Sequence, residues 1–173
     1  AVKTMKPIKK LTFTSLMGAA AVVFLFISAY IPTLSISFAA IAGLFIAAAF
    51  IECGLKYSLL CYLSVSAVSL IIVSDKVIVL LFILIFGLYP LYKAWAEASR
   101  TIILEFAAKL LFCNIMIFLM YLLVRSFSRL PTLPDIPFVY PIAVIALNIV
   151  FLVYDFGFSK LIALYRLRIS RRK

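Results

Sequence analysis

The sequence predicts an all-α integral membrane protein, a bundle of six transmembrane helices with both termini on the cytoplasmic side. Three observations carry this. Of the 173 residues, 67% are hydrophobic and only 13% are charged, against roughly 45–50% and about 25% in an ordinary soluble domain. So few polar groups cannot cover a water-exposed surface. The apolar residues gather into six runs, each close to the roughly 20 residues that cross a hydrocarbon core of about 30 Å. The basic residues collect at alternate run ends. The runs lack the alternation of a membrane barrel, which excludes strands.

The runs are Leu11–Ile31, Leu34–Glu52, Gly54–Ser74, Lys76–Tyr92, Thr101–Val124 and Phe138–Ala163, forming one transmembrane unit over residues 1–173. The first follows Lys3, Lys6, Lys9 and Lys10, which gives it the look of a signal peptide. Five further spans make it a retained helix. Its Ser15, Gly18, Ala19, Ala20 and Ala21 form a small-residue face that permits close approach of another helix. The Pro32-Thr33 turn, the Cys53-Gly54 junction and the Ser74-Asp75-Lys76 corner are too short for anything but antiparallel neighbours. Glu52 and Lys56, flanking the second turn, are expected to pair. Asp75 and Lys76 either contact a ligand or form a solvated turn.

Span four is the shortest, and Gly87 and Pro90 in FGLYPLYK are placed to kink its end. The following KAWAEASR, Lys93–Arg100, favours helix and either continues the span or lies along the interface. Between spans five and six, Arg125–Pro141 carries Pro131, Pro134, Pro137 and Pro141. Proline fixes φ and lacks an N–H donor, so this stretch is predicted extended or turned. It is either a lid over an outward cavity or a plain linker.

Orientation follows from the 17 lysines and arginines. With the amino terminus inside, thirteen are cytoplasmic, including Lys56, Lys93, Arg100, Lys160 and the basic tail. Lys76, Arg125 and Arg129 remain outside, and Lys109 lies within a span. Such a bias sets topology, and it accounts for the net charge of +11 without nucleic acid. The tail Tyr165–Lys173 also suits anionic lipid headgroups. Tyr30, Tyr121 and Tyr140 fall near the outer interface, and Tyr57, Tyr89, Tyr92, Trp95 and Tyr165 near the inner one, as interfacial anchors.

Catalytic signals are missing. There is no histidine, and Cys53, Cys61 and Cys113 sit in apolar runs without metal-ligand spacing, as small buried hydrophobes. No paired carboxylates, phosphate-binding glycine loop or nucleophile with a base emerges. The reading is of a non-enzyme without metal or cofactor.

Ionisable groups in hydrocarbon cost at least a few kcal/mol and seek partners. Span five holds Glu105, Lys109 and Asn114, and span six holds Asn148, Asp155 and Lys160. In antiparallel helices, residues at equal depth have roughly constant index sums. Glu105 then meets Lys160, Lys109 meets Asp155, and Asn114 meets Asn148. These rungs either glue the two helices together or, at the outer end, line a ligand cavity. Helical phase limits the ladder, because Lys109 to Asn114 is a turn of roughly 140°. A substrate site drawn on these grounds comprises Asp75, Lys76, Asn114, Tyr121, Arg125, Tyr140 and Asn148.

The opening KKLTFTSLMGAAAVV resembles that of S components of energy-coupling factor transporters, which are small, basic, six-helix membrane proteins of bacteria that capture vitamins or other micronutrients. The resemblance covers size, span count, charge bias and this opening. It implies that Ser15 and Ala19, with Ala20 nearby, contact a transmembrane coupling subunit that works with ATPase subunits. It departs from the family in its first outer loop, reduced here to Pro32-Thr33, and in carrying no vitamin-specific signature. The expected function is a substrate-capture subunit of the bacterial cytoplasmic membrane for an unidentified small molecule. The alternative is a non-transport interaction or scaffold protein of a bacterial envelope complex.

Overall fold

The computed structural model of the protein describes residues 6–96, 102–127 and 139–170. Among these, every regular element is helical and none is a strand. Six helices are long and apolar enough to cross a membrane, so the chain is a multi-pass membrane protein. It divides into two compact units, Ala1–Arg100 and Thr101–Lys173.

In the first unit, α1 (Pro7–Ser28) begins with proline at its first position, where the missing N–H has no partner to lose. It ends in a turn at Ala29-Tyr30. A 3₁₀ turn, Pro32–Leu34, leads into α2 (Ser35–Cys53), with the Ser35 hydroxyl donating to the Pro32 carbonyl at 2.9 Å. Gly54 then reverses the chain at φ 87°. Nothing lies within 4 Å of a Cβ built there, so glycine is required for its conformation and not for space. This break falls between Glu52 and Lys56, and the expected ion pair between them does not form among the described residues.

α2 is the hub. It packs on α1, on α3 (Leu55–Ile72) and on all parts of span four. Ala39, Ala42, Gly43, Ala47 and Ala49 are buried along it, and such small side chains let backbones approach in lipid, where dispersion replaces the hydrophobic effect between helices. Against α1 the contact is aromatic, with Phe24 5.9 Å from Phe38 and 5.4 Å from Phe45 between ring centroids. The buried Cys53 thiol donates to the Lys10 carbonyl at 3.5 Å. Like Cys61 and Cys113, it is a buried, unbridged thiol.

Span four runs Lys76–Ala96, four residues beyond the expected end at Tyr92, so Lys93–Ala96 continue the helix. It comprises α4 (Lys76–Leu81), a π-helical segment (Phe82–Gly87) and α5 (Tyr89–Ala96). The expected kink at Gly87 and Pro90 is thus a change of pitch beginning at Phe82. Tyr89, expected as an interfacial anchor, is fully buried, whereas Tyr30 and Trp95 are about 70% exposed.

The second unit is a helix pair, α6 (Ile102–Phe127) and α7 (Val139–Ser170). Arg125 and Val139–Pro141, expected within a loop, are helical; residues 128–138, the rest of that loop, lie outside the described residues. At 32 residues α7 is about 48 Å long, some 18 Å more than a hydrocarbon core requires. Arg166 and Arg168 lie on its last turns.

Candidate functional site

α1 and α3 lie side by side and run parallel. The Cys61 thiol donates to the Thr14 carbonyl at 3.5 Å, and a Cβ on Gly18 would stand 3.2 Å from Cys61 Sγ and 3.5 Å from Val65 Cγ2. Between the helices runs an apolar groove of about 550 Å³, lined by Thr14, Ser15, Gly18 and Ala19 on one wall and by Leu60, Ser64 and Val68 on the other. Gly18 lets α1 approach Cys61 and Val65 of α3 closely at the floor of the groove, and Ala19 adds little bulk to its wall. Ser15 and Ala19 are exposed, while Ala20 is half-buried and is not among the lining residues. Thr14 is buried, and its hydroxyl has no hydrogen-bond partner among the described residues. The α3 wall is missing from the sequence reading, although CYLSVSAVS supplies the small and hydroxyl residues that signal it.

The Ser74-Asp75-Lys76 corner is held by its own side chains. Asp75 Oδ1 accepts from the N–H groups of Val77 at 3.0 Å and Ile78 at 3.3 Å, capping α4 where the helix end is positive. Lys76 Nζ donates to the carbonyls of Leu70 and Val73, both at 2.7 Å, complementing the negative end of α3. Both charges, expected at a ligand or in a solvated turn, are engaged with helix ends.

On the helix pair, two of the three expected rungs are present. Lys109 Nζ donates to Asp155 Oδ2 at 2.9 Å and to Glu105 Oε1 at 2.5 Å. Asn114 and Asn148 exchange amide hydrogen bonds at 3.1 and 3.2 Å, and each also donates to a carbonyl one turn back, Leu110 and Val144, at 2.8 Å. The rung between Glu105 and Lys160 is not formed. Glu105 takes the (i, i+4) partner on its own helix. Lys160 lies roughly 140° around α7 from Asp155, exposed, with Nζ 5.4 Å from the Phe156 ring centroid.

Tyr121 is on α6 and half-exposed. Arg125 and Tyr140 lie on α6 and α7, with their side chains outside the described residues. Among the described residues no cluster of His, Cys, Asp or Glu has the grouping to hold a metal ion. Comparison of the chain with protein-family models, with curated proteins and with solved structures finds no match.

Proposed function

We propose that the chain is a membrane substrate-capture subunit for a small molecule such as a vitamin or other micronutrient, driven by a coupling module made of a transmembrane subunit and ATPase subunits. The observation that carries this reading is the α1–α3 groove, where Ser15 and Ala19 stand exposed beside Gly18. A partner helix needs small side chains to approach this closely in lipid. In this reading the charge bias places both termini in the cytoplasm of a bacterium, and the protein handles no nucleic acid and catalyses no reaction itself.

A second reading is a non-transport scaffold or interaction subunit of an envelope complex. It is favoured by the engagement of Asp75, Lys76, Asn114 and Asn148 with helix ends and with one another, which leaves less polar chemistry for a ligand. Purification of the affinity-tagged full chain from its native membrane, followed by native mass spectrometry, separates the two. Retention of a small molecule together with ATPase-bearing subunits supports capture; co-purifying membrane proteins with neither support the scaffold. Ala19→Trp is expected to abolish partner association and to leave retention of the small molecule unchanged. Unchanged association would overturn the coupling role of the groove.

A further inference from the structure

Span four changes pitch in its middle, between the α-helical Lys76–Leu81 and Tyr89–Ala96. The π-helical Phe82–Gly87 closes i→i+5 bonds and so holds more chain per turn than an α-helix does. Its ladder ends unevenly. The N–H of Leu88, five residues after Ile83, donates to Ile85. The Ile83 carbonyl accepts instead from the phenolic hydroxyl of Tyr62 on α3, at 3.0 Å. The Tyr62 ring also occupies the space a side chain at Gly87 would need, since a Cβ there would stand 2.9 Å from Cδ2 and Cε2. One residue of α3 therefore touches the π-turn at both its polar and its apolar face.

The far side of the turn is held as closely. Pro90 has no N–H to offer the carbonyl four residues back, that of Phe86. This carbonyl lies against α2, where a Cβ on Gly43 would come within 2.5 Å of it.

From these contacts we infer that the π-turn is a register switch in span four and that Tyr62 is its latch. With the hydroxyl withdrawn, Ile83 accepts from the Gly87 N–H and the surplus residue is taken up in a regular α-turn. Lys76–Leu81 then rotates by about 100° and advances about 1.5 Å relative to Tyr89–Ala96. The rotation carries each residue of the segment to about the angular position its neighbour now holds, which turns the buried Val79 away from its present contacts. It is absorbed at the extended residues Val73 and Asp75, which join the segment to α3 at ψ 127° and 94°, and the Lys76 bonds to the Leu70 and Val73 carbonyls break and re-form with it. The device couples the packing of α3 to the facing of the first half of span four, and it is independent of the capture and scaffold readings.

The test is solid-state NMR of the ¹⁵N-labelled full chain in aligned phospholipid bilayers, where the dipolar pattern reports helix rotation. The wild type is expected to show Lys76–Leu81 out of phase with Tyr89–Ala96 by about 100°. Tyr62→Phe is expected to remove the offset. Gly87→Ala, which drives a methyl group into the Tyr62 ring, should do the same if the first variant fails to reconstitute. An offset missing from the wild type, or one retained in either variant, overturns the proposal.

Discussion

Lys109 of α6 and Asp155 of α7, 46 residues apart in sequence, form a hydrogen-bonded ion pair at 2.9 Å with 3% and 7% of their surfaces exposed. Breaking a buried pair by removing one partner costs about 3–5 kcal/mol, mostly because the other charge is stranded. Lys109→Ala removes the ammonium that contacts both the buried Asp155 and the partly exposed Glu105. The expected outcome is a large loss of stability that Asp155→Asn partly restores. A double-mutant cycle read by denaturant unfolding in detergent isolates the coupling, and strict additivity would contradict it.

Gly43→Ala and Gly157→Ala should differ in sign. A methyl group at Gly43 meets the Phe86 carbonyl oxygen at 2.5 Å, whereas nothing lies within 4 Å of a Cβ at Gly157. Overpacking against backbone costs about 1–3 kcal/mol, while alanine in place of an unhindered helical glycine stabilises by up to about 1 kcal/mol. Thermal unfolding of the two variants side by side checks this.

Asp75→Ala removes the acceptor for two N–H groups at the start of α4 and is expected to cost about 0.5–2 kcal/mol. Asp75→Asn keeps the capping oxygen and should recover most of that stability. Were Asp75 a ligand contact and not a cap, its loss would instead lower retention of a small molecule with stability unchanged, which native mass spectrometry would register.

Topology is checked by accessibility. Thr132→Cys is expected to react with a membrane-impermeant maleimide only from outside the cell, and Lys6→Cys only after the inner face is opened. Labelling of Thr132→Cys from the cytoplasmic face alone would invert the orientation.

The six spans and most of their boundaries were legible because the cost of exposing polar backbone in hydrocarbon dictates run length with little help from tertiary context. Register in the second helix pair was legible too, because charges in lipid must find one another. Its failure at Lys160 was a matter of rotation about the axis, to which index sums are blind. Position 43 shows the other limit. An alanine-rich stretch such as SISFAAIAGLFIAAAF announces close packing, yet nothing in it names Phe86 as the neighbour. The π-turn was hidden for the same reason: FGLYPLYK suggests a disturbance, while the Tyr62 hydroxyl that completes it comes from another helix. Half of the α1–α3 groove was visible as a small-residue face, and the half on α3 was not, because depth between two helices is a property of the pair.

The corner at Ser74-Asp75-Lys76 bears on how the protein enters the bilayer. Between Leu70 and Ile78, the last carbonyls of one helix are bound by Lys76 and the first amides of the next by Asp75. A translocating hairpin must carry its turn through hydrocarbon, where each exposed polar backbone group costs several kcal/mol. Here the tip brings its own solvation, with an ammonium and a carboxylate of adjacent residues answering the two opposed helix ends. On the orientation read from the charge bias, Lys76 would cross the bilayer with its charge intact but its ammonium already solvated by the carbonyls of Leu70 and Val73.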